Sequence, residues 1–108
     1  MYQWGGLLFD WDHDKARINL AKWGVSFEEA VTVFGDSQSL DDEDREHSSP
    51  DEQRRVTTGR SDRQRVLTVV YAERTMVIRT NGKTETTIIR IIHAARATRR
   101  ERRDYEEK

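Results

Sequence analysis

The sequence of 108 residues contains no cysteine, which excludes several kinds of chemistry. Without thiols there is no disulfide framework, no thiolate nucleophile and no cysteine ligand for zinc or an iron–sulfur cluster. The longest largely apolar run, from Val66 to Ala72, is far shorter than the ~20 residues of a membrane-spanning helix. No basic region followed by a long apolar segment opens the chain, as a secretory signal requires. We therefore expect a cytoplasmic protein without membrane contact.

Apolar residues are also scarce. Leu, Ile, Val and Phe together number 22, whereas charged residues make up 36% of the chain. A chain of this length accommodates one small domain. We expect a single domain over residues 1–108 with a thin core and a solvated face on its sheet.

The near-neutral total charge of −1 conceals an asymmetry along the chain. Residues 1–52 carry 4 basic and 13 acidic side chains, net −9, and residues 53–108 carry 15 basic and 7 acidic side chains, net +8. A basic half is a typical electrostatic footprint for nucleic acid. The alternative is that the two halves fold together and neutralise each other.

The N-terminal third predicts one strand and two helices. Leu7 to Phe9 is short and apolar, as in a strand. From Asp12 the period becomes helical, and Gly24 is placed to end that helix. Apolar and polar stripes follow the same helical spacing: Ala16, Leu20 and Trp23 on the apolar face, and Lys15, Asn19 and Lys22 on the polar one. Ser26 and Glu29 then form a capping box for a second helix that ends at Gly35.

The remainder predicts strands and a last helix. Residues 36–53 indicate a loop or weak edge strand, and alternation over 54–60 places Arg54 and Arg60 on one side of a strand. β-Branched runs flank Asn81-Gly82, a strong hairpin signal, and a two-residue turn there pairs Met76 with Thr87 and Val70 with His93. Thr98 and Glu101 cap a basic C-terminal helix. The expected class is α+β, with two N-terminal helices and one C-terminal helix packed on an antiparallel sheet.

The order and spacing of many short elements along the chain resemble the BrnT toxins of bacterial type II toxin–antitoxin pairs. The matching elements are Trp11-Asp12, Lys15, Asn19, Lys22, Gly24 to Ala30, His47-Ser48, Glu52, Arg54, Gly59 to Ser61, Arg90 to Ile92, Ala94, Arg96 to Thr98, Glu101 and Tyr105. This resemblance implies a RelE-like fold.

The resemblance further implies a metal-independent ribonuclease that halts translation. Its expected partner is a BrnA-like antitoxin with a ribbon-helix-helix module, in an assembly of two toxins and two antitoxins that contacts DNA only through the antitoxin. Attack of an RNA 2′-OH on the adjacent phosphorus needs a proton acceptor, a proton donor and cations for the charged phosphorane. The arginine fork suits the last role, because it matches two phosphate oxygens and stays charged.

Candidate residues follow from that chemistry. We expect catalytic roles for four side chains: Arg60, Arg90, His47 and Lys22. We expect substrate contacts from five more: Lys15, Asn19, Arg54, His93 and Arg96. The alternatives are a solvated helix stripe, a backbone hydrogen bond for Asn19 and ion pairs between the arginines and the acidic segment 36–52. No metal site is expected, because the carboxylates of residues 41–46 lack EF-hand spacing and indicate a solvated loop.

Three positions depart from the usual family pattern: Trp23, His93 and Ala95. Trp23 either stacks an RNA base or packs against the protein. Ala95 removes a cation from a run that the family fills with arginine. Trp23 and Ala95 favour an alternative function, in which a weakened homologue binds its antitoxin and acts as a transcriptional co-repressor. A nucleic-acid binder acting alone is disfavoured by the net charge.

Overall fold

The computed structural model describes the backbone of residues 1–80 and 82–107, and the side chains of these except at positions 78–80 and 83. The turn expected at Asn81-Gly82 lies partly outside the described residues, since Asn81 is not among them. In chain order the elements are β1 (Tyr2–Trp4), β2 (Leu7–Asp10), α1 (His13–Trp23), α2 (Phe27–Thr32), a 3₁₀ turn (Val33–Gly35), β3 (Leu40–Glu43), β4 (Arg54–Arg60), β5 (Val66–Thr80), β6 (Gly82–Arg96) and α3 (Arg99–Glu106). The α+β class is confirmed.

The described strands form one sheet in the order β1-β2-β6-β5-β4-β3. Four of the five neighbouring pairs are antiparallel, but β2 runs parallel to β6, with Phe9 opposite Ile89. The expectation of a purely antiparallel sheet was therefore wrong. Long-range packing sets this pairing between residues eighty positions apart in the sequence, and the local sequence pattern does not indicate it.

One face of the sheet carries the core. Leu67, Val69 and Tyr71 of β5 are buried together with Ile91 of β6, and the buried residues of α2 join the same cluster. Side chains alternate between the two faces of a strand. The intervening residues of β4, β5 and β6 therefore face away from this cluster.

Helix α1 lies along the part of β6 that β2 does not cover, because β2 ends opposite Arg90. Asn19 is its buried residue, whereas Leu20 and Trp23 are 51% and 46% exposed. The expectation that Leu20 and Trp23 form the apolar face was wrong. A helix at the edge of a sheet buries only a narrow stripe, and here a polar amide occupies it.

The β5–β6 hairpin has a register shift between Val70 and Tyr71. Val70 lies opposite His93, as expected, but Met76 lies opposite Thr86 rather than Thr87. One extra residue on β6, Ile92, accounts for the difference, as in a β-bulge.

The helix ends follow the sequence signals closely. The side chains of Ser26 and Thr98 accept hydrogen bonds from the backbone N–H groups of Glu29 and Glu101, at 3.0 and 3.2 Å. The full reciprocal box forms only at α3, because the Glu29 carboxylate is used elsewhere. No helix in the described part of the chain has the length and apolar character of a membrane span.

Candidate functional site

Basic side chains occupy the sheet face opposite the core. The register places Arg54 of β4 and Arg90 of β6 on either side of Ala72 of β5. Neighbouring strands lie ~4.8 Å apart, so the Cα atoms of the two arginines are about 10 Å apart. The Ala72 side chain between them is small and is itself buried. We call the sheet face that carries Arg54, Ala72 and Arg90 the basic face.

Both arginines have acidic neighbours. Arg54 Nε donates to Glu52 Oε1 at 3.0 Å, and Arg90 Nη1 lies 3.6 Å from Asp10 Oδ1. Asp10 Oδ1 is buried and has no hydrogen-bond partner among the described residues. Each carboxylate lies against one guanidinium nitrogen of its arginine, and a guanidinium group carries five N–H donors. The expected alternative of pairing with the acidic segment is thus realised for Arg54 through Glu52.

The bulge at Ile92 brings His93 to the basic face. Before the bulge Ile89 and Ile91 point into the core, and after it Ala94 does so. Without the extra residue the alternation would direct His93 inward. His93 instead lies opposite Val70 on the face that carries Arg90.

A groove of about 210 Å³ separates α1 from β6. Its lining residues are Lys15, Ile18, Asn19, Lys22, Trp23, Ile92 and His93. We call it the α1–β6 groove. It brings together four residues expected from the sequence, namely Lys15, Asn19, Lys22 and His93.

His93 is half-buried in this groove. Burial, assisted by the positive charge of Lys22, lowers the pKa of His93 below its ordinary value. The imidazole is therefore neutral at pH 7 and has a free nitrogen lone pair, which a general base requires. Its ring meets the Trp23 ring at 89°, with 5.4 Å between the ring centres.

Asn19 is held by the backbone groups of Val25 and Ala94. Its amide nitrogen donates to Val25 O at 2.9 Å and to Ala94 O at 2.7 Å, and its oxygen accepts from Ala94 N at 3.2 Å. The alternative of a backbone hydrogen bond is therefore what the structure shows. Asn19 positions the two lysines that follow the same stripe of α1.

His47 lies in the loop before β4 and is exposed. Its Nδ1 is 3.0 Å from both carboxylate oxygens of Asp44. The neighbouring Ser48 hydroxyl donates to Asp44 O at 2.6 Å and accepts from Arg54 N at 2.9 Å. The loop therefore anchors His47 beside the start of β4, where Arg54 lies.

Arg60 and Arg96 lie at the other end of the sheet. Arg60 is opposite Val66 on β5, six positions from the Ala72 that separates Arg54 and Arg90. At ~3.3 Å per residue this corresponds to about 20 Å. The Arg60 guanidinium lies 6.0 Å from the centre of the Tyr105 ring of α3, and Arg96 is exposed at the end of β6. The structure thus groups Arg54, Arg90 and His93 and leaves Arg60 apart.

Sequence reasoning missed Asp10 as the partner of Arg90. Its only signal would have been the parallel pairing of β2 with β6, which local patterns do not reveal. Among the described residues, no three His, Asp or Glu side chains converge as a metal-binding group. The arrangement can offer a phosphodiester four groups: the guanidinium groups of Arg54 and Arg90, the ammonium group of Lys22 and the neutral imidazole of His93.

The chain matches the model of a known protein family. A family model described as "Ribonuclease toxin, BrnT, of type II toxin-antitoxin system" matches residues 11–101. No curated protein matches the chain significantly. The matched range contains all nine expected site residues.

Proposed function

The chain belongs to the BrnT family of ribonuclease toxins of type II toxin–antitoxin systems, and from this membership we propose that it is itself an active endoribonuclease with a RelE-like fold over a single domain, residues 1–108. The observation that carries the proposal is the placement of Arg54 and Arg90 around Ala72, beside the half-buried His93. Together these groups meet the needs of RNA cleavage by the 2′-OH.

The reaction divides among these side chains as follows. His93 accepts the 2′-OH proton as the 2′-oxygen bonds to phosphorus, and the bond from phosphorus to the 5′-oxygen breaks. Lys22 or His47 supplies a proton to the departing 5′-oxygen, which leaves a 2′,3′-cyclic phosphate. Arg54 and Arg90 stabilise the phosphorane charge. Side-chain cations fill the role that a metal ion has in other nucleases, so the cleavage is metal-independent.

The remaining expected residues bind the same RNA strand away from the cleaved bond. Lys15 lies in the α1–β6 groove, and Arg60 lies about 20 Å along the strands from Arg90, by the ~3.3 Å rise per residue. Arg96 lies at that same end of the sheet. These cations add phosphate contacts, which strengthen binding without touching the reacting atoms.

RNA cleavage in EDTA tests the proposal directly. Purified protein should cleave single-stranded RNA in EDTA to products with 2′,3′-cyclic phosphate ends, and an RNA with a 2′-O-methyl group at the cleaved position should resist. Activity that EDTA abolishes, or cleavage of the 2′-O-methyl RNA, would show that the chemistry is different.

The partner we propose is a BrnA-like ribbon-helix-helix antitoxin in an assembly of two toxins and two antitoxins, in the cytoplasm. Support comes from α3, whose exposed arginines suit an acidic antitoxin segment: Arg99, Arg100, Arg102 and Arg103. Coexpression with such an antitoxin should relieve growth arrest, and light scattering should give the mass of a 2:2 complex. A 1:1 mass would contradict the stoichiometry.

A second candidate function is an antitoxin-binding co-repressor with weakened cleavage. Ala95 favours it, because the register places Ala95 opposite Thr68 on the basic face, where a cation is missing. Ala95→Arg should then raise the cleavage rate substantially. Arg17→Ala is the control, because Arg17 is exposed and does not line the α1–β6 groove. This function would be excluded if the unmodified protein cleaved all of the RNA and Ala95→Arg did not raise the cleavage rate.

A further inference from the structure

Trp23 is an exposed aromatic ring in a basic groove. It is 46% exposed, whereas Trp4 and Trp11 pack against the core. Lys15 and Lys22 line the same groove, and no acidic residue is among its described lining residues. Proteins bind single-stranded nucleic acids through aromatic rings beside cations, because the bases stack on the rings and the phosphates contact the cations.

The backbone around Trp23 is fixed before any ligand arrives. Trp23 is the last residue of α1, and Gly24 ends the helix in the left-handed conformation, with φ of 71°. The Gly24 N–H donates to Leu20 O at 2.9 Å, and Arg65 Nη2 donates to Gly24 O at 3.1 Å. A fixed backbone reduces the conformational entropy that Trp23 loses on binding, so its contact with a nucleobase adds to affinity.

The Trp23 ring is also held at a defined angle beside His93, the proposed proton acceptor. His93 meets it edge to face, and Lys22 Nζ lies 5.4 Å from the ring centre. A nucleobase stacked on Trp23 therefore places its ribose and phosphate close to His93 and Lys22. A base inside a duplex is already stacked and cannot reach the ring without being extruded.

We propose that the α1–β6 groove is a nucleotide-binding subsite in which an unpaired RNA base stacks on Trp23. The inference rests on the proposed ribonuclease function and specifies its substrate as single-stranded RNA. Trp23 is a binding and specificity residue, since the reacting atoms lie beyond the stacked base.

The test uses short 2′-O-methyl RNA, which lacks the nucleophile and remains intact during binding. Fluorescence anisotropy of the labelled RNA gives Kd, and tryptophan emission reports contact with Trp23. Trp23→Ala should weaken binding of the single strand by about tenfold or more, which corresponds to ~1.4 kcal/mol. Trp23→Phe, which keeps an aromatic face, should lose less. Leu20→Ala is the matched control, because Leu20 is equally exposed on α1 but does not line the groove.

The strandedness of the RNA provides a second arm. The single strand should quench the emission of the unmodified protein but not that of Trp23→Phe, and the same RNA annealed to its complement should quench neither. Equal quenching by the duplex, absence of any quenching, or unchanged affinity in Trp23→Ala would overturn the subsite. An unchanged RNA affinity together with weaker antitoxin binding in Trp23→Ala would assign the ring to the antitoxin instead.

Failure of the subsite and failure of the ribonuclease function give different results. A protein that binds the single strand through Trp23 but never cleaves unmodified RNA retains the subsite and loses the ribonuclease function. A protein that cleaves RNA equally well with Trp23 or alanine retains the ribonuclease function and loses the subsite.

Discussion

The side-chain amide of Asn19 pairs with the backbone of Ala94 as a neighbouring strand would. Asn19 Nδ2 donates to Ala94 O at 2.7 Å, and Ala94 N donates to Asn19 Oδ1 at 3.2 Å. Strand β2 ends opposite Arg90, so without Asn19 this edge of β6 would be buried under α1 with unpaired polar groups. The amide thus joins α1 to the sheet and fixes the width of the α1–β6 groove.

Asn19→Ala should destabilise the protein by about 3 kcal/mol, because three backbone groups lose their partner and a buried unpaired group costs ~1–3 kcal/mol. Asn19→Asp should also destabilise it, since a carboxylate cannot donate to Val25 O and Ala94 O. Urea denaturation followed by circular dichroism measures both. Arg17→Ala is the control, because its exposed ion pair with Asp14 is worth less than ~1 kcal/mol. A loss for Asn19→Ala no larger than the control would contradict this role.

Glu29→Gln should destabilise the protein by about 2–3 kcal/mol. Glu29 is 5% exposed and accepts hydrogen bonds from Ser61 and Arg65, so the substitution leaves the Arg65 guanidinium without its counter-charge. Thermal unfolding at pH 7 measures the loss. Glu28→Gln is the matched control, because the neighbouring Glu28 is exposed.

The stability of the unmodified protein should depend on the charge of Glu29. Burial opposes its ionisation, but the hydrogen bonds from Arg65 and Ser61 outweigh burial and lower the pKa of Glu29 below the ordinary value of 4.5. The stabilisation is therefore complete above pH ~4.5 and is lost as the pH falls through the folded pKa. Urea midpoints between pH 3 and 7 should converge for the unmodified protein and Glu29→Gln at the acid end. A constant gap at all pH values would contradict the assignment.

The local signals in the sequence predicted the helices and the long hairpin well. Ser26 and Thr98 cap their helices through side-chain hydrogen bonds, which depend only on residues three positions apart. The position of His93 opposite Val70 was also predicted, although it arises from a bulge that the sequence did not indicate. Signals that act within one turn of helix are readable from the sequence, whereas the register of the hairpin at Met76 was not, because it depends on the bulge.

Contacts between distant elements were not predictable in the same way. The spacing of Leu20 and Trp23 predicted a buried face, but the buried residue of α1 is Asn19, because its amide meets the uncovered edge of β6. The pairing of Asp10 with Arg90 depends on the parallel β2–β6 contact. The sequence therefore proposed candidate residues one by one, whereas the fold determines which of them lie close together.

Arg90→Lys should reduce the rate of RNA cleavage by about 10²-fold, or ~2.7 kcal/mol, because lysine keeps the charge beside Asp10 but loses the planar fork that holds the phosphorane. Arg60→Ala should instead raise KM with little change in kcat, since Arg60 lies about 20 Å from Arg90 by the ~3.3 Å rise per residue. Single-turnover kinetics in EDTA separate the two effects. A fall in kcat for Arg60→Ala as large as that for Arg90→Lys would contradict the assignment of Arg60 to binding alone.

The imidazole of His93 should titrate below its ordinary pKa of 6.5, because burial and the Lys22 charge both lower its pKa. Lys22→Met should raise the pKa of His93, but only part of the way, since burial remains. Lys15→Met removes an equal charge from the same groove and should leave the pKa of His93 unchanged. Nuclear magnetic resonance of the histidine ring protons measures these titrations without any need for catalysis.

If His93 is the proton acceptor, the acid limb of the cleavage rate should fall as the pH drops through its pKa, because the base is then protonated. A pKa of His93 above 6.5, or one that Lys22→Met leaves in place, would remove the physical basis for assigning it that role.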